Sequence, residues 1–173
     1  MDEGETVPTI LNNRFLLKKF INRCGIATAE FRLARNHREL VVAHQALGFP
    51  GVLKMQYAAP DEPGPWIVRD FADVPPILKV TAGRPIIWEH FVACDRALSI
   101  AATRSGDGTV VVEAGTADTD QDRVFARARD DAKTIGERLG IVGAYRVNFF
   151  QLADRLMVDD IRLMPFFESG APA

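Results

Sequence analysis

Residues 86–108 constrain the fold of this chain more than any other segment. They read IIWEHFVACDRALSIAATRSGDG, which predicts an apolar strand, a linker over 89–92, a second strand over about 97–104 and a tight turn at 105–108. A linker that leaves a strand with free backbone N–H and C=O groups can read a planar base, and the strand that follows can line a phosphate cleft. The pattern is typical of a nucleotide-binding fold.

Composition excludes several classes of protein. The 173 residues suffice for one domain or two small lobes, and 47% hydrophobic with 25% charged residues is typical of a soluble globular protein. A net charge of -2 and the lack of a basic cluster argue against nucleic-acid binding. No apolar run approaches about 20 residues, which argues against a membrane span. Cys24 and Cys94 lie far apart, which favours a reducing compartment, and we expect a cytoplasmic protein.

Periodicity and turn residues predict an α+β order of elements. Helices are expected from Asn12 or Asn13 to Gly25, from 36 to 48 and from about 122 to 139, and Pro75 and Pro76 allow at most a short irregular helix. Strands are expected at 30–33, 52–55, 66–69, 86–90, about 97–104, 109–114, 145–151 and 155–160. We therefore expect two lobes, about 12–80 and 86–163, with flexible or loosely docked tails at 1–11 and 164–173.

The order and spacing of several motifs resemble the ATP-grasp fold, and within it the carboxyaminoimidazole ribonucleotide synthetases of purine biosynthesis. The resemblance covers about 12–170, although the chain is expected to lack the domain that usually precedes this fold. Four segments carry it: the helix at 13–20 with the turn at 25–31, the strand at 47–54, the segment at 87–99, and the ending at 140–161.

The resemblance implies roles for individual residues. Lys54, at the end of its strand, would contact the phosphates of ATP, and Arg14 at the head of the first helix would assist. Glu89, His90, Phe91 and Val92 would read adenine through their backbone. The Mg²⁺ ligands would be drawn from Asn148, Asp159 and Asp160, of which only one aspartate can face the cleft if the two alternate along a strand. No catalytic residue is assigned.

Several departures weaken the implied reaction. The loop that should close over the phosphates with glycine N–H groups reads AAPDEPGP at 58–65, with three prolines and the acids Asp61 and Glu62. Ala97 stands where the resemblance expects a ribose-binding glutamate, and Asn148 where it expects a metal-binding acid. The segment before the last long helix is short and lacks the expected substrate-binding Asn and His.

Three functions therefore stay open. The first is a degenerate ATP-grasp domain that acts as a non-catalytic or partner-dependent binding or regulatory module. The second is an ATP- and Mg²⁺-dependent ligase that joins a carboxylate and an amine, and the third is a structural interaction protein that binds no nucleotide. We expect ATP and Mg²⁺ to bind weakly or not at all, and a homo-oligomer or a complex with another protein, in part through an apolar patch at Phe166 and Phe167.

Overall fold

The computed structural model describes residues 6–59, 61–112 and 123–165. The chain divides into two compact units, Met1–Ala93 and Cys94–Ala173. The expected lobe boundary before residue 86 was therefore misplaced. The strand at 86–90 pairs with two strands of the first unit, and hydrogen bonding to that sheet fixes it there. Phe166 and Phe167 lie outside the described residues.

The first unit builds one four-stranded antiparallel sheet with helices on both faces. Its strands follow the order β1-β4-β2-β3. The elements in chain order are α1 (Val7–Leu11), α2 (Arg14–Arg23), β1 (Phe31–Ala34), α3 (His37–Leu47), β2 (Gly51–Met55), β3 (Trp66–Val68), a short 3₁₀ turn (Phe71–Asp73), α4 (Val74–Thr81) and β4 (Ile86–His90).

The core of the first unit follows from alternation along β2 and β4. Leu53, Met55, Ile86 and Trp88 point to the face that packs against α3 and α4, where they join an apolar cluster. Lys54, Ile87 and Glu89 point to the opposite face. Since Lys54 pairs with Ile87 and Val52 with Glu89 in register, Lys54 and Glu89 lie diagonally across the two strands.

Two local expectations for the first unit were wrong. Residues 7–11 form a helix whose Ile10 is fully buried, so this part of the predicted leader is packed and not loosely docked. Pro75 and Pro76 belong to the eight-residue helix α4, where the sequence predicts at most a short irregular helix. Proline is tolerated in the first turn of a helix because the N–H groups there have no intrahelical partner.

The second unit pairs a second antiparallel sheet with one long helix. It comprises β5 (Arg96–Arg104), β6 (Val110–Val112), α5 (Arg123–Leu139), β7 (Gly143–Leu152) and β8 (Arg155–Leu163), with sheet order β6-β5-β7-β8. The predicted hairpins about residues 105–108 and 153–154 are confirmed. Helix α5 packs Ala128, Ala132 and Ile135 inward.

A register shift interrupts β7 and β8 where the candidate metal ligands lie. Asn148 pairs with Asp160, but the next residue, Phe149, pairs with Val158, so Asp159 is the extra residue at the shift. Such a bulge breaks the alternation of side chains. The expectation that Asp159 and Asp160 simply alternate across the strand was therefore wrong, and both are half-buried. In the described part of the chain, no helix combines the length and apolar character needed to cross a membrane.

Candidate functional site

Lys54 and Glu89 form the centre of a buried ionic network in the first unit. The Lys54 Nζ atom lies 3.1 Å from Glu89 Oε2, and Lys18 Nζ approaches the same oxygen to 3.3 Å from helix α2. Lys18 also donates to the Thr28 hydroxyl at 2.9 Å. The side chains of Lys18 and Glu89 are only 2% and 3% exposed, whereas Lys54 is 14% exposed. Two ammonium groups thus share one carboxylate beneath the surface.

The side chain of Glu89 was not foreseen as the functional part of that residue. The sequence predicts a role only for the Glu89 backbone, as part of an adenine-binding linker. In the structure Glu89 lies inside strand β4 and its carboxylate points toward the lysines. Its other oxygen, Oε1, is buried without a hydrogen-bond partner. Lys18, inside a helical pattern otherwise occupied by Leu17, Phe20 and Ile21, was missed altogether.

The backbone of the predicted adenine-reading linker is partly engaged. The His90 N–H donates to the Glu30 carbonyl at 2.8 Å, and the Phe91 N–H donates to the Pro50 carbonyl at 3.3 Å. The His90 ring contacts the Leu47 carbonyl through Nδ1 at 3.3 Å. The expected run of free donors over residues 89–92 is therefore interrupted, and Phe91 and Val92 are half-buried.

Arg14 occupies the head of α2, as the resemblance implies, and is already paired. Asn13 caps the helix through hydrogen bonds from the N–H groups of Phe15 and Leu16, which places the Arg14 side chain at the first turn. Arg14 Nη1 donates to the Met55 carbonyl at 2.8 Å, and Nη2 forms an ion pair with Glu62. Glu62, in the loop where glycines were expected, thus binds a cation of its own unit.

The candidate metal ligands in the second unit also have partners. Asp160 Oδ2 accepts from Arg162 Nε at 2.7 Å, and Oδ1 accepts from the Ile161 N–H at 2.9 Å. The side-chain Oδ1 of Asn148 accepts from the Ser99 hydroxyl at 3.0 Å. Among the described residues, no group of three or more His, Cys, Asp or Glu side chains could hold a metal ion. Mg²⁺ prefers several carboxylate and water oxygens, and a guanidinium on Asp160 competes with it.

The residues present do not fit a tightly held Mg-nucleotide in their observed arrangement. Lys54 and Arg14 each carry a carboxylate where a phosphate oxygen would bind, and Asp160 carries a guanidinium where a cation would bind. Three of the candidate charges, on Arg14, Lys54 and Asp160, are thus neutralised, each inside its own unit. A ligand would have to displace these partners before it could bind.

Comparison with known proteins identifies the family. A model of the ATP-grasp domain matches residues 19–170. The chain belongs to the ATP-grasp family. This ATP-grasp chain is 27% identical to N5-carboxyaminoimidazole ribonucleotide synthase of Vibrio cholerae, over 86% of its own length and 45% of the relative's. It is 29% identical to phosphoribosylaminoimidazole carboxylase of Schizosaccharomyces pombe, over 66% of its own length and 21% of the relative's.

Solved structures agree with the ATP-grasp assignment. The ADP complex of an N5-carboxyaminoimidazole ribonucleotide synthetase superimposes with a TM-score of 0.80 at 26% identity, covering 90% of this chain and 45% of that one. D-alanine–D-alanine ligase of Helicobacter pylori shares the fold, with a TM-score of 0.74 at 16% identity over 91% of this chain and 52% of that one. The ATP-grasp chain thus spans less than half the length of its first curated relatives. The predicted family and α+β ATP-grasp fold are confirmed.

Proposed function

We propose that this ATP-grasp domain has lost the ligase reaction of its relatives and acts as a non-catalytic or partner-dependent binding module. One observation supports this proposal above the others. Three of the four charged residues that the family resemblance assigns to phosphate or metal are paired with an opposite charge of the same unit. The pairs are Arg14–Glu62, Lys54–Glu89 and Asp160–Arg162.

These pairs oppose nucleotide binding because a phosphate must replace them. A hydrogen bond to a charged group contributes roughly 1.5–3 kcal/mol net, so the exchange of a carboxylate for a phosphate at two cations gains little. Prolines in the loop at 58–65 also remove N–H donors that could compensate. We expect the dissociation constant for Mg-ATP to exceed about 1 μM, which corresponds to roughly -8 kcal/mol.

Isothermal titration of the chain with ATP, with and without Mg²⁺, tests the binding part of the proposal. A product assay with aminoimidazole ribonucleotide, bicarbonate and ATP tests the catalytic part, and we expect no turnover. Lys54→Ala is the diagnostic variant, and Lys79→Ala, an exposed lysine of helix α4 in the same unit, is the control. Submicromolar binding, or turnover that Lys54→Ala abolishes and Lys79→Ala leaves intact, would contradict the proposal.

A working ATP-dependent ligase is the second candidate. It is favoured by the presence of both family cations at one end of β2: Arg14 binds the carbonyl of Met55, the residue that follows Lys54. In that case Lys54 and Arg14 would hold phosphates after their carboxylates moved away, and Asp160 would hold the metal. Turnover in the same product assay would favour this second candidate. The expected homo-oligomer or protein partner stays a prediction.

A further inference from the structure

The loop that follows β2 carries Glu62, whose carboxylate contacts Arg14 of helix α2. Glu62 Oε1 pairs with Arg14 Nη2, and Glu62 Oε2 accepts from the Ala59 N–H at 3.1 Å. The carboxylate therefore bridges its own loop and helix α2. The two side chains are 13% and 17% exposed, so the pair is partly desolvated and yet close to the surface.

Arg14 is fixed independently of Glu62. Its Nη1 atom donates to the Met55 carbonyl at 2.8 Å, and its backbone N–H donates to the Gln56 carbonyl at 2.8 Å. The neighbouring Asn13 accepts from Gln56 Nε2 at 3.2 Å. These bonds hold the guanidinium beside the end of β2 whether or not the loop is in place. A fixed planar guanidinium matches the oxygens of a carboxylate and of a phosphate equally well.

Glu62 and Glu89 differ in how easily a ligand could displace their carboxylates from the cations that they pair with. Glu89 is anchored on a central strand, 3% exposed, between Lys18 and Lys54. Glu62 sits on a loop, and its carboxylate is held by one guanidinium and one backbone N–H. Among the paired carboxylates of the first unit's candidate site, Glu62 is thus the one that a ligand can displace without opening the sheet.

We propose that Glu62 is a tethered competitor whose carboxylate occupies an anion site at Arg14 until the phosphate groups of a polyphosphate or nucleotide displace it. This inference rests on the proposed function, because it explains the weak binding expected there. A tethered group acts at a high effective concentration, of the order of millimolar for a short flexible link, so it suppresses the apparent affinity of any free anion for Arg14. The loop then works as an inhibitory strap on the site.

The test compares two variants that remove the same charge from the same loop. Glu62→Gln abolishes the ion pair with Arg14, whereas Asp61→Asn removes an exposed carboxylate one residue earlier. Binding of inorganic tripolyphosphate and of Mg-free ATP is measured by calorimetry on the full chain, with adenosine as a probe that lacks phosphate. We expect Glu62→Gln to bind both phosphate probes at least about tenfold more tightly than the wild type, and Asp61→Asn to change the affinity less than about twofold. Adenosine binding should not respond.

The double variant Glu62→Gln/Arg14→Ala should lose the gain, because the anion site is then absent. Equal effects of Glu62→Gln and Asp61→Asn would overturn the proposal, since they would indicate only a general charge effect. No gain in Glu62→Gln, or a gain that survives Arg14→Ala, would overturn it as well. Thermal unfolding checks that Glu62→Gln is folded. If it is not, Glu62→Asp, which keeps the charge and withdraws it from Arg14 by one methylene, is used with the same expectation.

Failure of the strap and failure of the proposed function give different results. If the wild type turns over substrate, the non-catalytic function is wrong, but the comparison of Glu62→Gln with Asp61→Asn still decides the strap. If none of the variants binds a phosphate probe and none turns over, the strap is wrong and the non-catalytic function stands.

Discussion

Removal of the Glu89 carboxylate should destabilise the first unit far more than removal of an exposed carboxylate. The Glu89→Gln side chain would leave Lys18, 2% exposed, and Lys54, 14% exposed, without their shared counter-ion. Loss of one partner from a buried ion pair costs about 3–5 kcal/mol, because it leaves an uncompensated buried charge. At roughly 2–4 °C per kcal/mol for a chain of this size, the melting temperature should fall by about 10 °C.

Tryptophan fluorescence during urea unfolding measures the stability of the first unit. Both tryptophans, Trp66 and Trp88, belong to the first unit, so their signal reports the unfolding of that unit. Glu39→Gln is the matched control, since Glu39 makes an exposed pair with Arg35 at 3.6 Å in the same unit. The control should cost less than about 1 kcal/mol, as exposed ion pairs do. Glutamine can also retain the hydrogen bond from the Arg35 N–H.

A second substitution separates the buried charge from the lost contacts. Lys18→Met in the Glu89→Gln background removes the most deeply buried ammonium, while Lys54 can turn toward water. The double variant should therefore recover at least about 1 kcal/mol relative to Glu89→Gln alone. A Glu89→Gln cost no greater than that of Glu39→Gln, or a further loss in the double variant, would refute the reasoning.

Other predictions concern packing and pH. Gly136→Ala should destabilise the second unit by about 1–3 kcal/mol, because a Cβ there would lie 2.0 Å from the Tyr145 hydroxyl, whereas Gly106→Ala, with nothing within 4 Å, should be nearly neutral in urea unfolding. Gly51→Ala should likewise destabilise the first unit, since its Cβ would lie 2.5 Å from the Trp88 ring. Burial, with a smaller contribution from Glu137, raises the pKa of Tyr145 to about 12. In the unfolded state the same hydroxyl has a pKa near 10, so the unfolded state loses its proton first as the pH rises. The free energy of unfolding should therefore be unaffected by Tyr145 below about pH 10 and fall between about pH 10 and 12. Tyr145→Phe should remove this loss of stability at alkaline pH. Unfolding free energies at pH 9 and 11.5 measure it, and a loss that persists in Tyr145→Phe would contradict the assignment.

Local patterns predicted most elements because their causes are local. Apolar spacing and terminal glycines identified α3 and α5, and turn residues identified the hairpins. The pattern misjudged α4 because proline is unfavourable only after the first turn of a helix. The bulge at Asp159 has no sequence signal of its own, since it arises from how β7 and β8 pair.

The candidate site was only half predictable. Lys54 and Arg14 could be proposed from the family motifs, although their roles remain predictions. Their partners could not, because Glu62 lies 48 residues from Arg14 and no periodicity links them. Lys18 shows the same limit. A lysine in an apolar helical pattern is expected to be solvated, and only the ion pair with Glu89, which is distant in sequence, explains why Lys18 is buried.

The pairing of Asn148 with Asp160 has a consequence for how the second unit responds to its solvent. A carboxylate at position 148 would face Asp160 directly across the strands, and like charges in that position repel. A bound cation would relieve the repulsion beyond what Arg162 supplies, and folding would then be linked to the cation concentration. The Asn148 amide, bonded to Ser99, removes that linkage. The sheet should keep the same unfolding free energy whether Mg²⁺ is abundant or scarce.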